Sequence, residues 1–421
     1  MNFYLGLDFG TSGARAMVID AAAIVHFEEQ FPFSQQNNLP ELWQTGLFSL
    51  ISQIPLEIRR YIKAIAIDGT SSTVLLCNES GSPISEPLLY NDGRGVSELQ
   101  ELEIIAPPNH TVISATSSLA KLLWWQTQHG NLSKFWFLHQ ADWLGFLLHG
   151  KLGISDYHNA LKLGADPENC SYPNWLLNIE NLPNLPQVLV PGMPVGEVRE
   201  EMCESLQLPL GCVVCAGTTD SIAAFLASGA KLAGDAVTSL GSTLVLKLLS
   251  NTRIDDSRLG IYSHRFPSLS NENLWLVGGA SNTGGAVLRE FFTDEDLANL
   301  SLQIAAKKSI NLDYYPLIKP GERFPINDAA LQPRLTPQPE NKIEFLHGLL
   351  ESMAKIEARG YELLQELGAT SLRRVYTAGG GAKNAVWEKI RSRYLGVEMS
   401  KPVSVEAAYG SALLAMRGVK N

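Results

Sequence analysis

The sequence predicts an α/β protein built from two related halves, and three observations carry that expectation. Two segments share one design of strand, glycine-and-hydroxyl turn, strand: Phe3 to Asp20 around Gly10-Thr11-Ser12-Gly13, and Asp235 to Lys247 around Gly241-Ser242-Thr243. Between and after them, apolar runs of strand length alternate with helix-length stretches. The 421 residues, 45% hydrophobic and 18% charged, hold enough apolar material for two or three domain cores and exclude a disordered chain.

The elements follow in order. Phe3 to Leu7 is apolar, Asp8-Phe9-Gly10-Thr11-Ser12-Gly13 turns, and Ala14 to Asp20 returns as a strand. A helix is expected from Leu42 to Arg60, then a buried strand at Ala64-Ile65-Ala66-Ile67-Asp68 that ends in Gly69-Thr70-Ser71-Ser72-Thr73. Residues 116 to 165 read as helix in pieces, with tryptophans supplying core. Cys212-Val213-Val214-Cys215-Ala216-Gly217-Thr218-Thr219-Asp220 is an apolar strand leading into a small-residue helix, Ser221 to Ser228. A boundary falls near Ser228 to Gly234, before the second hairpin. In the second half, Thr283-Gly284-Gly285 opens a helix, Ile343 to Leu367 is a long amphipathic helix stopped by Gly368, and Gly379-Gly380-Gly381 separates a strand from the helix Asn384 to Leu395. Val405 to Arg417 is the closing helix.

Charge and cysteine usage exclude several function classes. Thirty-three basic against 43 acidic residues give a net charge of −10, so the basic footprint of a nucleic-acid binder is absent. Five cysteines in a chain of this length form no disulfide framework and fit a reducing compartment. No apolar run reaches the ~18 residues of a membrane span. Met1 runs straight into Phe3-Tyr4-Leu5 without the basic region of a signal peptide, so the simplest reading is cytoplasmic.

Chemistry concentrates at the turns. Glycine turns at strand ends gather backbone N–H groups that suit phosphate oxygens, and two hydroxyl-bearing turns plus a triple glycine before a helix suit a nucleoside triphosphate. Each turn taken singly is also an ordinary hairpin. Asp8, at a strand end, is placed either to face magnesium or to cap its own turn. Asp220 is either an N-cap or a general base at the mouth of a cleft, and the residues leave both open. Other patterns carry less. Gly145 to Leu152 approaches the phosphate-loop spacing but lacks the final hydroxyl and a preceding strand. Cys212 and Cys215 read as core, and the histidines form no helical metal pair.

These residues resemble the FGGY carbohydrate kinases of the actin and hexokinase superfamily, along the whole chain. The resemblance rests on Leu7 to Arg15, Leu88-Leu89-Tyr90-Asn91-Asp92-Gly93-Arg94, Ala141-Asp142-Trp143-Leu144, Ser155-Asp156, Ala216 to Asp220, Leu240 to Thr243, Ser281 to Gly285, Gly321-Glu322-Arg323, Ala378 to Asn384, and Glu406 to Ala412, in the family's order. It implies two ribonuclease-H-like (actin-like ATPase) domains around a central cleft: residues 1–229 mainly for sugar, residues 230–421 mainly for ATP. Asp220 is then the base for the sugar hydroxyl. Asp8, Ser12, Gly13, Arg15, Ser72 and Asp92 are expected around the substrate with it. Gly10, Thr11, Gly241, Ser242, Thr243, Gly285, Gly380, Gly381 and Asn384 are expected at ATP, and Asp8 near Mg2+. Two departures matter: Gly241-Ser242-Thr243 reverses the usual order of hydroxyls, and Asp68 to Thr73 replaces the glutamine-methionine-histidine stretch of xylulose kinases with short hydroxyls. Unpaired buried polar groups discriminate between substrates. That loop therefore favours D-ribulose, converted to its 5-phosphate, with D-xylulose as the alternative and a sugar-independent ATPase on the same fold as the rival. The expected partner is a small-molecule sugar, with no nucleic acid or membrane, and the protein a monomer or homodimer.

Overall fold

The computed structural model describes residues 2–33, 38–267 and 273–419. The chain divides into two compact units, Met1–Ala227 with Glu406–Asn421, and Ser228–Val405.

The first unit carries ten strands: β1 (Phe3–Phe9), β2 (Gly13–Asp20), β3 (Val25–Pro32), β4 (Ile62–Gly69), β5 (Val74–Cys77), β6 (Trp136–His139), β7 (Ile154–Asp156), β8 (Gln187–Leu189), β9 (Pro194–Glu197) and β10 (Val213–Thr219). Six of them form one sheet in the order β3-β2-β1-β4-β10-β9. The hairpins β1/β2 and β2/β3 are antiparallel, whereas β4 lies parallel to β1 and β10 parallel to β4. Successive residues of β1 face opposite sides of the sheet. Phe3, Leu5, Leu7 and Phe9 pack with Trp43, Leu47 and Leu50 of the helix Leu39–Gln53. Tyr4 packs on the other side with Ala408 and Ala412. The single helix expected from Leu42 to Arg60 is instead two, Leu39–Gln53 and Leu56–Arg59, because Pro55 ends the first and stands as N-cap of the second.

The second unit adds β11 (Asp235–Leu240), β12 (Leu244–Ser250), β13 (His264–Phe266), β14 (Leu274–Ser281), β15 (Arg374–Ala378) and β16 (Glu398–Ser400), in the order β13-β14-β12-β11-β15-β16. Again β11/β12 and β12/β14 are antiparallel, while β15 is parallel to β11 and β16 to β15. With β9 and β13 left out and the other five strands of each sheet counted in chain order, both sheets run 3-2-1-4-5 with the same directions. That is the ribonuclease-H-like order, and it makes the repeat of hairpin design a repeat of whole topology. The 25-residue helix Lys342–Glu366 supplies Leu346, Leu349, Leu350 and Met353 to this unit's core, as its apolar periodicity predicts.

The closing helix, Ala407–Gly418, packs on the first unit although it follows the second in sequence. Its small residues explain how. A Cβ at Gly6 would overlap the backbone of Ala408 and Ala412, and one at Gly410 would overlap Ala223. Only glycine and alanine at these points let the helix lie this close to β1 and to the helix Asp220–Ala227. No helix among the described residues is long and apolar enough to cross a membrane.

Candidate active site

The strand ends of the first unit bring three carboxylates into one neighbourhood. Register places Asp8 of β1 beside Asp68 of β4, and Asp68 beside Thr218 of β10, two residues before Asp220. Asp68 is fully buried and its Oδ2 accepts a 2.6 Å hydrogen bond from Ser411 of the closing helix. Asp8 Oδ1 and Asp68 Oδ1 are both buried without a donor from the described residues. One proton between the two carboxyls, or a cation beside them, satisfies these oxygens. Burial, with the Asp8 charge second, holds the Asp68 carboxyl well above the ordinary carboxylate range. Asp8 is raised too, by burial first and by the charge of Asp220, against the opposing hydrogen bond from Asp68 and the charge of Arg15. Asp220 is the first residue of its helix, half-buried, and its Oδ1 accepts from the Ser221 N–H at 2.5 Å.

Behind Asp220, the end of β10 is braced by buried polar groups. Thr218 Oγ1 meets His158 Nδ1 at 2.7 Å, and its carbonyl accepts from Asn159 Nδ2 at 3.1 Å. Asp156 in turn accepts from the His158 N–H at 2.8 Å and from Asn159 Nδ2 at 2.6 Å. Burial, then the charge of Asp142, pushes the Asp156 carboxyl up to about 7.

The loop after β4 forms a second polar patch. Tyr90 N–H donates to Thr73 Oγ1 at 3.0 Å, Thr73 and Thr70 hydroxyls meet at 2.5 Å, and Thr70 Oγ1 donates to Gln140 Oε1 at 3.1 Å. Between these threonines Ser72 adopts a left-handed conformation, φ 63, and its buried hydroxyl has no partner among the described residues. A non-glycine residue in this region persists only where the surrounding structure holds it. Asp92 is fixed by Arg94, whose Nε and Nη2 reach its carboxylate at 3.0 and 2.6 Å.

The hairpin tip between β1 and β2 carries Gly10, Thr11, Ser12 and Gly13. Thr11 and Ser12 are exposed at the turn, closed by the Gly10 N–H to Gly13 carbonyl bond of 3.0 Å, so they remain available to a ligand. Gly13 lies against β3, where an added Cβ would meet the Phe31 carbonyl at 2.8 Å. Arg15, opposite Asp8 across the hairpin, is ion-paired to Glu406 and bonded to Gln30 Oε1 at 3.3 Å. Its guanidinium is engaged by protein groups.

The second unit contains a cavity of about 780 Å³. Gly241, Ser242, Gly285, Gly380, Gly381 and Asn384, six of the expected nucleotide residues, line it together. The β11–β12 turn is tied to the following helix by Gly285 N–H to Gly241 carbonyl at 2.9 Å and Ala286 N–H to Ser242 carbonyl at 3.1 Å. Thr243, at the same turn, accepts from the Gly241 N–H through its carbonyl at 3.2 Å and does not line the cavity. Asn384 spends its side chain capping the helix Ala385–Leu395 and reaching Ser301 Oγ at 2.8 Å. A Cβ at Gly380 would meet nothing within 4 Å, so the cavity leaves room at this glycine for a ligand to approach the backbone. The cavity's size lies within the usual range for small-molecule sites.

The family models for the FGGY family of carbohydrate kinases match residues 3–227 with the N-terminal domain and residues 236–419 with the C-terminal domain. The chain belongs to this family. It is a carbohydrate kinase, a phosphotransferase with an alcohol group as acceptor. Curated relatives include a xylulose kinase of Staphylococcus epidermidis, 22% identical over 99% of this chain and 88% of that protein. An autoinducer-2 kinase of Yersinia pestis is 25% identical over 99% of this chain and 86% of that protein. A solved xylulose kinase from Rhodospirillum rubrum superposes with a TM-score of 0.83 at 21% identity, covering 98% of this kinase and 89% of that chain, which fixes the two-domain fold.

The sequence reading missed Asp68, Lys121, Gln140 and His158. Asp68 has a signal in the sequence, a carboxylate closing an apolar run as Asp8 does. The others acquire their place through contacts far apart in sequence.

Proposed function

We propose that this kinase transfers the γ-phosphoryl group of ATP to a terminal hydroxyl of a ketopentose, D-xylulose before D-ribulose. The observation that carries the reading is the polar loop after β4, where the buried Ser72 hydroxyl has no partner among the described residues and Arg94 fixes Asp92, in the same unit as Asp220. Short hydroxyls at Thr70, Ser72 and Thr73 argue for D-ribulose. The names of the similar proteins argue for D-xylulose, and we give them the greater weight because they span nearly the whole chain. Residues 1–229 with the returning helix would serve the sugar, and the cavity of the second unit the nucleotide.

Asp220 takes the proton from the acceptor hydroxyl, and its backbone hydrogen bond keeps the carboxylate oriented. Thr11, Ser12 and Ser242 offer hydroxyls and N–H groups to phosphate oxygens. Gly380 and Gly381 let the nucleotide lie against backbone. Among the described residues no group of three His, Cys, Asp or Glu side chains is arranged to hold a metal ion. A magnesium ion needs fewer, since phosphates complete its shell, and the buried, donor-less Asp8 Oδ1 fits that role. When bound, the ion would neutralise phosphate charge. Asp68, buried beside Asp8 and accepting from Ser411, would back the same position.

The test is magnesium-dependent ADP release with D-xylulose, D-ribulose, L-ribulose, ribitol, glycerol or no sugar. Strong stimulation by D-xylulose is expected. Greater stimulation by D-ribulose would reverse the order, and stimulation by no ketopentose would sink the substrate assignment.

A further inference from the structure

We propose that Lys121 is a specificity-determining positioning residue of the sugar site: its ammonium clamps the Ser72 and Leu89 carbonyls, and so fixes the Ser72 hydroxyl relative to Asp92. The proposal rests on the ketose reading of this patch given above.

Lys121 lies on the helix Ser118–His129, inside the run Ser-Leu-Ala-Lys-Leu-Leu-Trp-Trp, and is fully buried. A buried lysine is rare unless its charge has partners. Here Nζ donates to Ser72 O and to Leu89 O, both at 2.7 Å. Those carbonyls belong to different segments. Ser72 sits in the turn after β4, and Leu89 leads into the Tyr90–Arg94 segment. One side chain therefore holds the two walls of the patch at a set separation.

The helix fixes the second wall twice. Trp124 follows Lys121 by three residues, so both project from one face. The Arg94 guanidinium lies over the Trp124 ring, 4.8 Å from its centroid, while it grips Asp92. The Asp92 charge favours the Lys121 ammonium, and Arg94 and Lys162 oppose it; burial dominates and brings the amine down to about 7. A packing role alone would be met by methionine at this position. The lysine instead uses its donors on the carbonyl of Ser72, the residue held in the left-handed region with its hydroxyl unmet. A clamp on that carbonyl holds the strained backbone in place and aims the hydroxyl.

The experiment compares wild type, Lys121→Met and Lys121→Gln by steady-state kinetics against the ketopentose panel and against ATP, with folding checked by thermal unfolding. Lys121→Met is expected to raise the ketose KM at least tenfold and to narrow the ratio of kcat/KM between D-xylulose and D-ribulose, while the KM for ATP moves less than twofold. Lys121→Gln, which keeps a donor, restores part of the difference, and it replaces the methionine variant if that one does not fold. Hydrogen exchange at the Tyr90 and Asp92 amides should quicken in the methionine variant. Ketose KM and sugar ranking within twofold of wild type in a folded variant would overturn the clamp. A wild-type enzyme that no ketose stimulates would overturn the substrate reading, and the clamp with it, before any variant is compared.

Discussion

Replacing Arg391 tests a buried ion pair of the second unit. Arg391 is fully buried, and its guanidinium donates to Glu357 through Nε at 2.6 Å and Nη2 at 2.7 Å, and to Thr377 Oγ1 through Nη1 at 2.8 Å. Glu357, equally buried on the long helix, also accepts from Thr238 Oγ1 at 2.5 Å. Thr238 and Thr377 are direct neighbours across β11 and β15. The pair therefore joins both strands that end in the cavity's glycine turns to two helices. Arg391→Met removes three hydrogen bonds and leaves the Glu357 carboxylate buried without its counter-charge. Breaking such a pair costs about 3–5 kcal/mol. At roughly 2–4 °C per kcal/mol for a unit of this size, the unfolding midpoint should fall by roughly 6–20 °C. Calorimetry of the full chain at neutral pH reads the shift, and ATP titration below the transition should show weakened binding. Removing both charges in Glu357→Leu/Arg391→Leu should cost less than the single change, since no buried charge remains unpaired. A loss under about 1 kcal/mol for Arg391→Met would refute the reasoning, because a partner that matters so little cannot be neutralising a buried carboxylate.

Three further outcomes are expected. Asp220→Asn should lower kcat by about 10²–10⁴ while ATP affinity stays within twofold, since the cavity proposed for the nucleotide lies in the other unit and the Asn oxygen still accepts from Ser221; a kcat within tenfold of wild type would remove Asp220 from the role of base. Gly380→Ala should weaken ATP binding by about tenfold with an unchanged unfolding midpoint, because the new methyl meets no protein atom within 4 Å and enters the cavity; unchanged affinity would mean the nucleotide does not lie on Gly380. Asp156 gives a pH dependence. Its folded carboxyl is raised to about 7, so its neutral form stabilises the fold fully below the ordinary carboxylate range, and that contribution is lost as pH rises to about 7. Denaturant titrations of wild type and Asp156→Asn between pH 4 and 8 should show the wild type losing up to about 4 kcal/mol relative to the variant across that window; parallel curves would exclude the shift.

The sequence by itself determined what depends on neighbours along the chain. The glycine-and-hydroxyl turns announced both hairpins, the apolar period gave β1, β4, β10 and the long helix, and the likeness of the hairpins disclosed two halves. Six residues that line the second unit's cavity could be named together for the same reason, because each belongs to a turn whose backbone demands are written locally. Tertiary structure decided the rest. Asp68 becomes a partner of Asp8 only when β4 pairs with β1, and of Ser411 only when the last helix returns across more than 300 positions to lie on Gly6. Arg15, legible as a motif residue, is drawn to Glu406 by that same return. Lys121 reads as one polar residue in an apolar helix until the fold sets two distant carbonyls around it. Burial changes the chemistry of such groups, and burial is a property of the assembled sheet and helices that no local pattern records.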